Sequence, residues 1–461
     1  MLRKIASPWI ASILILLLTA TISPATEPGA KKLQVFILAG QSNMVGHAHY
    51  ITLPALLTAK EDGIGRVRDL VFKKDSLAVG DARAQVGARL DRGKIETELR
   101  EKKITGDDKI AAAKAEVAKL TTQFDTLTKK ILDSFRVSKR VYITSIADGH
   151  RRSGALTVGY GSGKERIGPE LGFGLSLEKK LDAPILIIKT SWGGKSINYD
   201  FRPPSAGVYE LDEKQKKSDK AEQISKNAGL NYRMMNEAVH AVLKDLGKHH
   251  PEYDAKAGYE MAGFVWFQGF NDQFSDAFRD NYKSNMIHFI KDVRKEYKTP
   301  KMPFVIGVMG TSIYKEKVAE NKVSVAQREA AKAPEFKGNV ASVDSYLYYA
   351  VDAYDLFKKG WVEHLHEFSL IGSDRPYHYM GSGKFFVRFG DALADAMNGL
   401  LKKWTTSRPA ASAARPRRRL GRFPSRCRGS EQRSAGGRTL PSSPGCGHRA
   451  RDAPSAASGR D

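Results

Sequence analysis

Four short stretches of this chain bring together residue types that could do chemistry. In Gly40-Gln41-Ser42-Asn43-Met44, the apolar run Val35-Phe36-Ile37-Leu38-Ala39 breaks off into small and polar residues. Such a run reads as a buried strand delivering a serine into a tight turn. At the carboxyl end of a strand, Ser42 would stand where open α/β sheets place their ligand crevices. A serine there is a candidate nucleophile, and it is equally a residue type that caps helices. Trp192-Gly193-Gly194-Lys195 repeats this grammar after the apolar run at 183–189, and Gly269-Phe270-Asn271-Asp272 repeats it after 263–268. The fourth stretch, Asp374-Arg375-Pro376-Tyr377-His378, precedes a last amphipathic segment.

The elements that must position these residues are legible as alternating patterns. Apolar runs at 141–146, 183–189, 263–268, 303–309 and 340–345 predict strands. Helical spacing predicts helices at 169–180, 232–246, 281–297 and 383–402, the first with Pro169 in its opening turn and Glu170 favourable toward the helix dipole. Strands alternating with helices of this length give a parallel sheet covered on both faces, so the fold class is α/β in one domain spanning 26–404. Residues 47–81 read as loop with short helix. The region 84–136 is rich in Lys, Glu, Arg, Ala and Leu and reads as an insertion. Within it Ile110, Ala113, Val117, Leu120, Phe124, Leu127 and Ile131 form a heptad seam. The seam predicts one arm of a helical hairpin or a short coiled coil. A homodimer through these helices is one expectation, and packing on its own domain is the plainer one.

Composition bounds the function. The chain has 461 residues, 41% hydrophobic, with five Trp, which is globular rather than disordered. The net charge of +24 is unevenly spread: the segment 405–461 holds 13 Arg, no Lys and three acids. That tail has no apolar period and reads as disordered. No basic groove with interleaved aromatics is apparent, so no nucleic-acid partner is expected. Residues 1–25 begin with Arg3 and Lys4, continue with an apolar core too short to span a membrane, and end in Ser23-Pro24-Ala25. This is a secretory signal peptide, predicting a secreted or periplasmic protein with no membrane span after cleavage. The two cysteines, Cys427 and Cys446, lie in the tail, so no disulfide framework is expected in the domain. No HExxH or Cys-His spacing occurs, and neither a metal nor a cofactor is expected.

The four stretches come in the order in which SGNH hydrolases present their sequence blocks, and over about 33–400 the chain resembles the sialate O-acetylesterase kind of carbohydrate acetylesterase. Gly40-Gln41-Ser42-Asn43-Met44 after a strand, Trp266-Phe267-Gln268-Gly269, Gly269-Phe270-Asn271-Asp272 and Tyr377-His378-Tyr379 carry the resemblance. It implies a flavodoxin-like α/β/α fold and a secreted serine esterase that removes O-acetyl groups from a carbohydrate. Ser42 would be the nucleophile and His378 its base, with His364 and His366 as competitors in the same stretch. The family pattern sets an Asp two or three residues before the His, whereas Asp374 is four before, so Glu363 and Glu367 stay open as alternatives to it. The resemblance gives the oxyanion donors as the Ser42 N–H, an N–H at Gly193 or Gly194, and the Asn271 amide. Gln41 and Gln268 are candidates to hydrogen-bond substrate hydroxyls or to brace the loops, and Trp192, Trp266 and Tyr377 to stack on a sugar ring, although buried aromatics are more often core material. Two rival readings are a lipase- or thioesterase-like hydrolase and a catalytically inactive carbohydrate-binding protein.

Overall fold

The computed structural model describes residues 30–73, 79–311, 313 and 315–407. The leader at 1–25 and the tail beyond 407 lie outside them. Seven strands form one sheet: β1 (Leu33–Gly40), β2 (Val141–Ala147), β3 (His150–Ala155), β4 (Ile185–Ser191), β5 (Tyr259–Phe267), β6 (Phe304–Val308) and β7 (Val340–Asp344). Their order is β3-β2-β4-β1-β5-β6-β7. All neighbours run parallel except β3, which pairs antiparallel with β2 at one edge. The predicted parallel sheet therefore gains an antiparallel edge strand. Its sequence, His-Arg-Arg-Ser-Gly-Ala, lacks the apolar run that marks a strand buried on both faces.

β1 lies at the centre because both of its faces are covered. Phe36 and Leu38 join the core under the helices Pro169–Lys180 and Gly383–Ser407. Val35, Ile37 and Ala39 join the opposite core, under Leu230–Leu243, Asp276–Glu296 and Lys322–Ala331. The last helix runs to Ser407, past the boundary drawn at 404. Among the described residues no helix is long and apolar enough to cross a membrane.

The region read as an insertion, 84–136, falls on two helices, Val79–Arg100 and Asp107–Ser134, packed against each other. Leu120 and Ile131 of the heptad seam are buried, Arg92 lies over the Phe124 ring, and Lys130 pairs with Asp81. The seam thus faces a helix of the same chain.

Within this apolar frame sits a fully buried ion pair. Lys189 lies on β4 in register with Leu38 of β1, and its ammonium donates to Glu170 Oε2 at 2.8 Å and to the carbonyl of Val45 at 2.9 Å. Glu170 Oε1 accepts from the Gly168 N–H at 2.8 Å. Burial lowers the Lys189 pKa, and Glu170 opposes that shift. Val45 closes the short helix that begins at Ser42, so the pair ties a core strand to the serine turn.

Removing one partner of such a pair strands the other charge, which typically costs about 3–5 kcal/mol. Lys189→Met is expected to lose about that much in guanidinium denaturation, and combining it with Glu170→Gln is expected to restore part of the loss.

Candidate active site

Strand register brings three of the four chemical stretches to one level. Gly40 on β1 pairs with Ser191 on β4 and with Phe267 on β5. The turns carrying Ser42, Gly193-Gly194 and Asn271 therefore leave the sheet side by side, where the chain's connections part to either side of β1. A Cβ at position 40 would lie 2.0 Å from the Phe267 carbonyl oxygen, so only glycine lets the strands close at this point.

Ser42 opens a four-residue helix, Ser42–Val45, and is buried. It is therefore the first residue of the helix and not its cap, which is Gln41. Neither its N–H nor its hydroxyl is bonded to any described residue. Gly194 has φ +67, a backbone conformation that suits glycine, and its N–H is likewise unbonded among the described residues. A Cβ on Gly194 would lie 4.0 Å from Asn271 Nδ2. The orientation of that amide is set by Gln41, whose Nε2 donates to Asn271 Oδ1 at 3.1 Å. Gln41 Oε1 in turn accepts from the N–H groups of Gly269 at 3.0 Å and Asn271 at 3.4 Å. The Asn271 oxygen is thus occupied, and its NH₂ faces Gly194.

Of the two glycines expected as alternatives, Gly193 is engaged. Its N–H donates to Asp148 Oδ2 at 2.7 Å, so Gly194 is the glycine with an N–H to offer. Asp148 lies in the tight turn between β2 and β3, where nothing in the sequence pointed to it.

The fourth stretch is a 3₁₀ turn, Pro376–Gly381, with Tyr379 and Met380 at φ +52 and +62. Left-handed backbone in such residues costs about 1–2 kcal/mol each. The surroundings enforce it: Tyr379 is fully buried, stacks on Phe385 at 3.9 Å, and shares its hydroxyl with Ser345 Oγ at 2.8 Å and the Gly310 N–H at 2.9 Å. The Met380 carbonyl then reaches back to accept from Ser373 N–H at 2.8 Å and Asp374 N–H at 3.1 Å. This fold-back brings Asp374 Oδ2 to 3.2 Å from His378 Nδ1 despite the four-residue spacing. Asn43 Nδ2, beside Ser42, donates to the carbonyl of Tyr377, beside His378, at 3.1 Å and joins the two turns. His378 Nε2 carries no bond to any described residue.

Burial pushes the Asp374 carboxyl up, but hydrogen bonds from His378, His47 and the Arg375 N–H outweigh it and hold the group well below the usual carboxylate range. His47 is the residue that sequence reading missed. Its Nδ1 lies 3.3 Å from the same Asp374 oxygen, and its ring stacks on that of His378 at 4.0 Å, 9° from parallel. Ligand atoms of His47, Asp374 and His378 lie within 4.8 Å of one another, a spacing compatible with a metal. Parallel rings run their in-plane lone pairs side by side, however, and this fits two donors on one carboxylate better than three ligands converging on a cation. The alternatives for the base and its partner lie apart. His366 Nε2 is 3.2 Å from the Arg83 carbonyl, in a cleft of about 520 Å³ against the insertion, and His364 caps the helix Leu365–Ile371. Neither Glu363 nor Glu367 bonds a histidine among the described residues.

Of the two roles open to Gln41 and Gln268, the structure shows the bracing one, and Trp192 is core material. Gln41 and Gln268 are almost fully buried with both ends of their amides engaged. Gln268 donates to Asp272 and to the Lys195 carbonyl at 2.9 Å, and accepts from Tyr282 at 3.0 Å. Asp272 in turn accepts from the N–H groups of Ile197 at 3.0 Å and Asn198 at 3.1 Å, fixing the chain that leaves the Gly193-Gly194 turn. Burial pushes the Asp272 carboxyl up to about 7 against the pull of these donors. Trp192 is buried against Phe201. Tyr377 alone of these candidates is exposed, with Phe270 beside it at 5.9 Å.

The family model for "carbohydrate esterase, sialic acid-specific acetylesterase" matches residues 156–348. That stretch includes Gly193, Gly194 and Asn271 and leaves Ser42, Asp374 and His378 outside it. Over that stretch the chain is similar to the sialic acid-specific acetylesterase family, in line with the resemblance its motifs carry. No curated protein matches. Solved structures to which the chain shows some likeness include an Arabidopsis thaliana protein (16% identity, TM-score 0.38, covering 79% of this chain and 98% of that one). A carbohydrate acetylesterase from Xanthomonas citri is 12% identical with a TM-score of 0.36, covering 79% of this chain and 55% of that one. NanS is 11% identical with a TM-score of 0.33, covering 68% of this chain and 78% of that one.

The Asp374 carboxyl has a lower pKa folded than unfolded. Its stabilising contribution is therefore complete above the ordinary carboxylate pKa of about 4 and fades as pH falls below it. Asp374→Asn removes that component, so stability measured by thermal melts between about pH 4 and pH 2 should fall less steeply than in the wild type.

Proposed function

We propose that this chain is an exported serine esterase of SGNH type that removes O-acetyl groups from a carbohydrate through an acetyl-Ser42 intermediate. One observation carries the reading: a buried serine and three unengaged N–H donors, from Ser42, Gly194 and Asn271, leave adjacent parallel strands at one level, next to an Asp–His pair. A hydroxyl becomes an effective nucleophile when a base takes its proton. His378 Nε2 is that base, and Asp374 on Nδ1 orients the ring and stabilises the imidazolium that forms. As Ser42 Oγ adds to the acetyl carbonyl, negative charge develops on the carbonyl oxygen, where the three donors receive it without rearrangement. Collapse of the intermediate expels the sugar hydroxyl, which takes its proton from His378. Water, deprotonated by His378 in its turn, then releases acetate.

The substrate class rests on the likeness to carbohydrate esterases over 156–348 and on the rim of the site. Tyr377, whose ring lies 4.5 Å from that of His378, and Phe274, at the end of the short turn that carries Asn271, are 43% and 70% exposed and are the aromatic surfaces available to a sugar. Export rests on the leader read at 1–25.

Acetate release from acetylated sugars and from p-nitrophenyl acetate tests the reading. Ser42→Ala is expected to reduce kcat by at least about 10³-fold. Asn271→Ala should reduce kcat by about 10²–10³-fold with KM little changed, as for other oxyanion donors. Wild-type turnover no higher than that of Ser42→Ala would overturn the enzyme, and activity confined to long acyl chains would overturn the carbohydrate.

A further inference from the structure

Asp374 offers one oxygen, Oδ2, to two imidazoles at almost the same distance: His378 Nδ1 at 3.2 Å and His47 Nδ1 at 3.3 Å. A carboxylate oxygen has room for both donors, provided each nitrogen carries its proton. The two rings lie flat on each other, 4.0 Å apart. His47 is itself held from behind: Arg166 Nη1 donates to its carbonyl at 2.6 Å and to Ser373 Oγ at 3.0 Å. The charged and titratable groups around it are thus Asp374, His378 and Arg166, with the His49–Glu165 pair next along the chain.

We propose that His47 is a positioning residue for the Asp374–His378 pair, occupying the second acceptor site of the shared oxygen and fixing the His378 ring by stacking. The proposal rests on the serine esterase reading. Two consequences follow. The His378 ring is locked with its proton on Nδ1, which leaves Nε2 as the lone pair that faces the reaction. The carboxylate is also divided between two donors, so it stabilises the imidazolium formed during turnover less than a dedicated carboxylate would. Burial lowers the His47 pKa, with His378 and Arg166 acting in the same direction and Asp374 opposing, so His47 stays neutral at pH 7. It therefore donates to the carboxylate without adding a positive charge beside the imidazolium.

The test compares His47→Phe, which keeps a flat ring and removes the donor, with His47→Gln, which keeps a donor and removes the ring. In His47→Phe the carboxylate serves His378 alone, and the acid limb of the kcat/KM profile is expected to move up by about half a unit to one unit. Plateau kcat should fall several-fold while KM stays within about twofold. In His47→Gln the limb should stay near that of the wild type. A purely structural role would lower the rate in both variants without moving either limb, and that result overturns the proposal. Histidine-labelled full-length wild type gives a second measurement that needs neither turnover nor a variant. Nitrogen–proton correlation spectra should show both His47 and His378 protonated on Nδ1, and a His47 protonated only on Nε2 overturns the proposal. An inactive wild type with both Nδ1 protons present would instead overturn the esterase reading and leave the shared carboxylate standing.

Discussion

The serine turn depends on a charge pair buried beneath it. Lys189 follows the four apolar residues Ile185 to Ile188 on its strand, with Glu170 as its ionic partner and the Val45 carbonyl as its other acceptor. A buried ammonium without acceptors is far costlier than one with them, so the arrangement tolerates little drift. Helix Pro169–Lys180, strand β4 and the turn after β1 must meet at one point for all three groups to be satisfied. Once they meet, the register of β1 with β4 and β5 decides what else stands beside Ser42. The site is thus positioned from below by core electrostatics and from the side by strand pairing, leaving its upper face to loops.

How much of this the sequence reveals depends on the range of the interaction. Apolar runs such as Phe36-Ile37-Leu38 and Ile185-Leu186-Ile187-Ile188 announce strands because both faces of the sheet are covered. The serine, glycine and asparagine turns announce themselves because each ends such a run. Strand β3 does not, since an edge strand need not be apolar. His47, Asp148 and the Lys189–Glu170 pair stayed hidden for another reason. Their roles arise from contacts made across the fold, such as the one between His47 and Asp374, and no local spacing encodes them. Direction was also out of reach. Gln41, Gln268 and Trp192 adjoin the chemical residues in sequence, but the fold turns them inward, and only Tyr377 faces out.

The histidine turn shows how a departure from the usual spacing can be accommodated. Asp374 stands four positions before His378, and two successive left-handed residues just after the histidine fold the chain back so that the pair still meets. Such strain persists only where the surroundings over-determine it. Here the stacked Tyr379 and Phe385 rings, together with the carbonyl of Met380, supply that determination. The stack joins the base to the last helix, so the geometry at His378 is inherited from the hydrophobic core.

The amide of Gln41 carries a consequence out of proportion to its size. It reads Asn271 with a donor at one end and two backbone N–H groups with an acceptor at the other. Glutamate is nearly the same shape but has no hydrogen to give, so the Asn271 side chain would gain by rotating half a turn and presenting its oxygen, not its NH₂, to the pocket. The direction in which the Asn271 amide points is therefore written in a buried neighbour, Gln41. Exchanging one NH₂ for an oxygen at Gln41 would turn one of the three donors into an acceptor while leaving the backbone N–H groups of Ser42 and Gly194 in place.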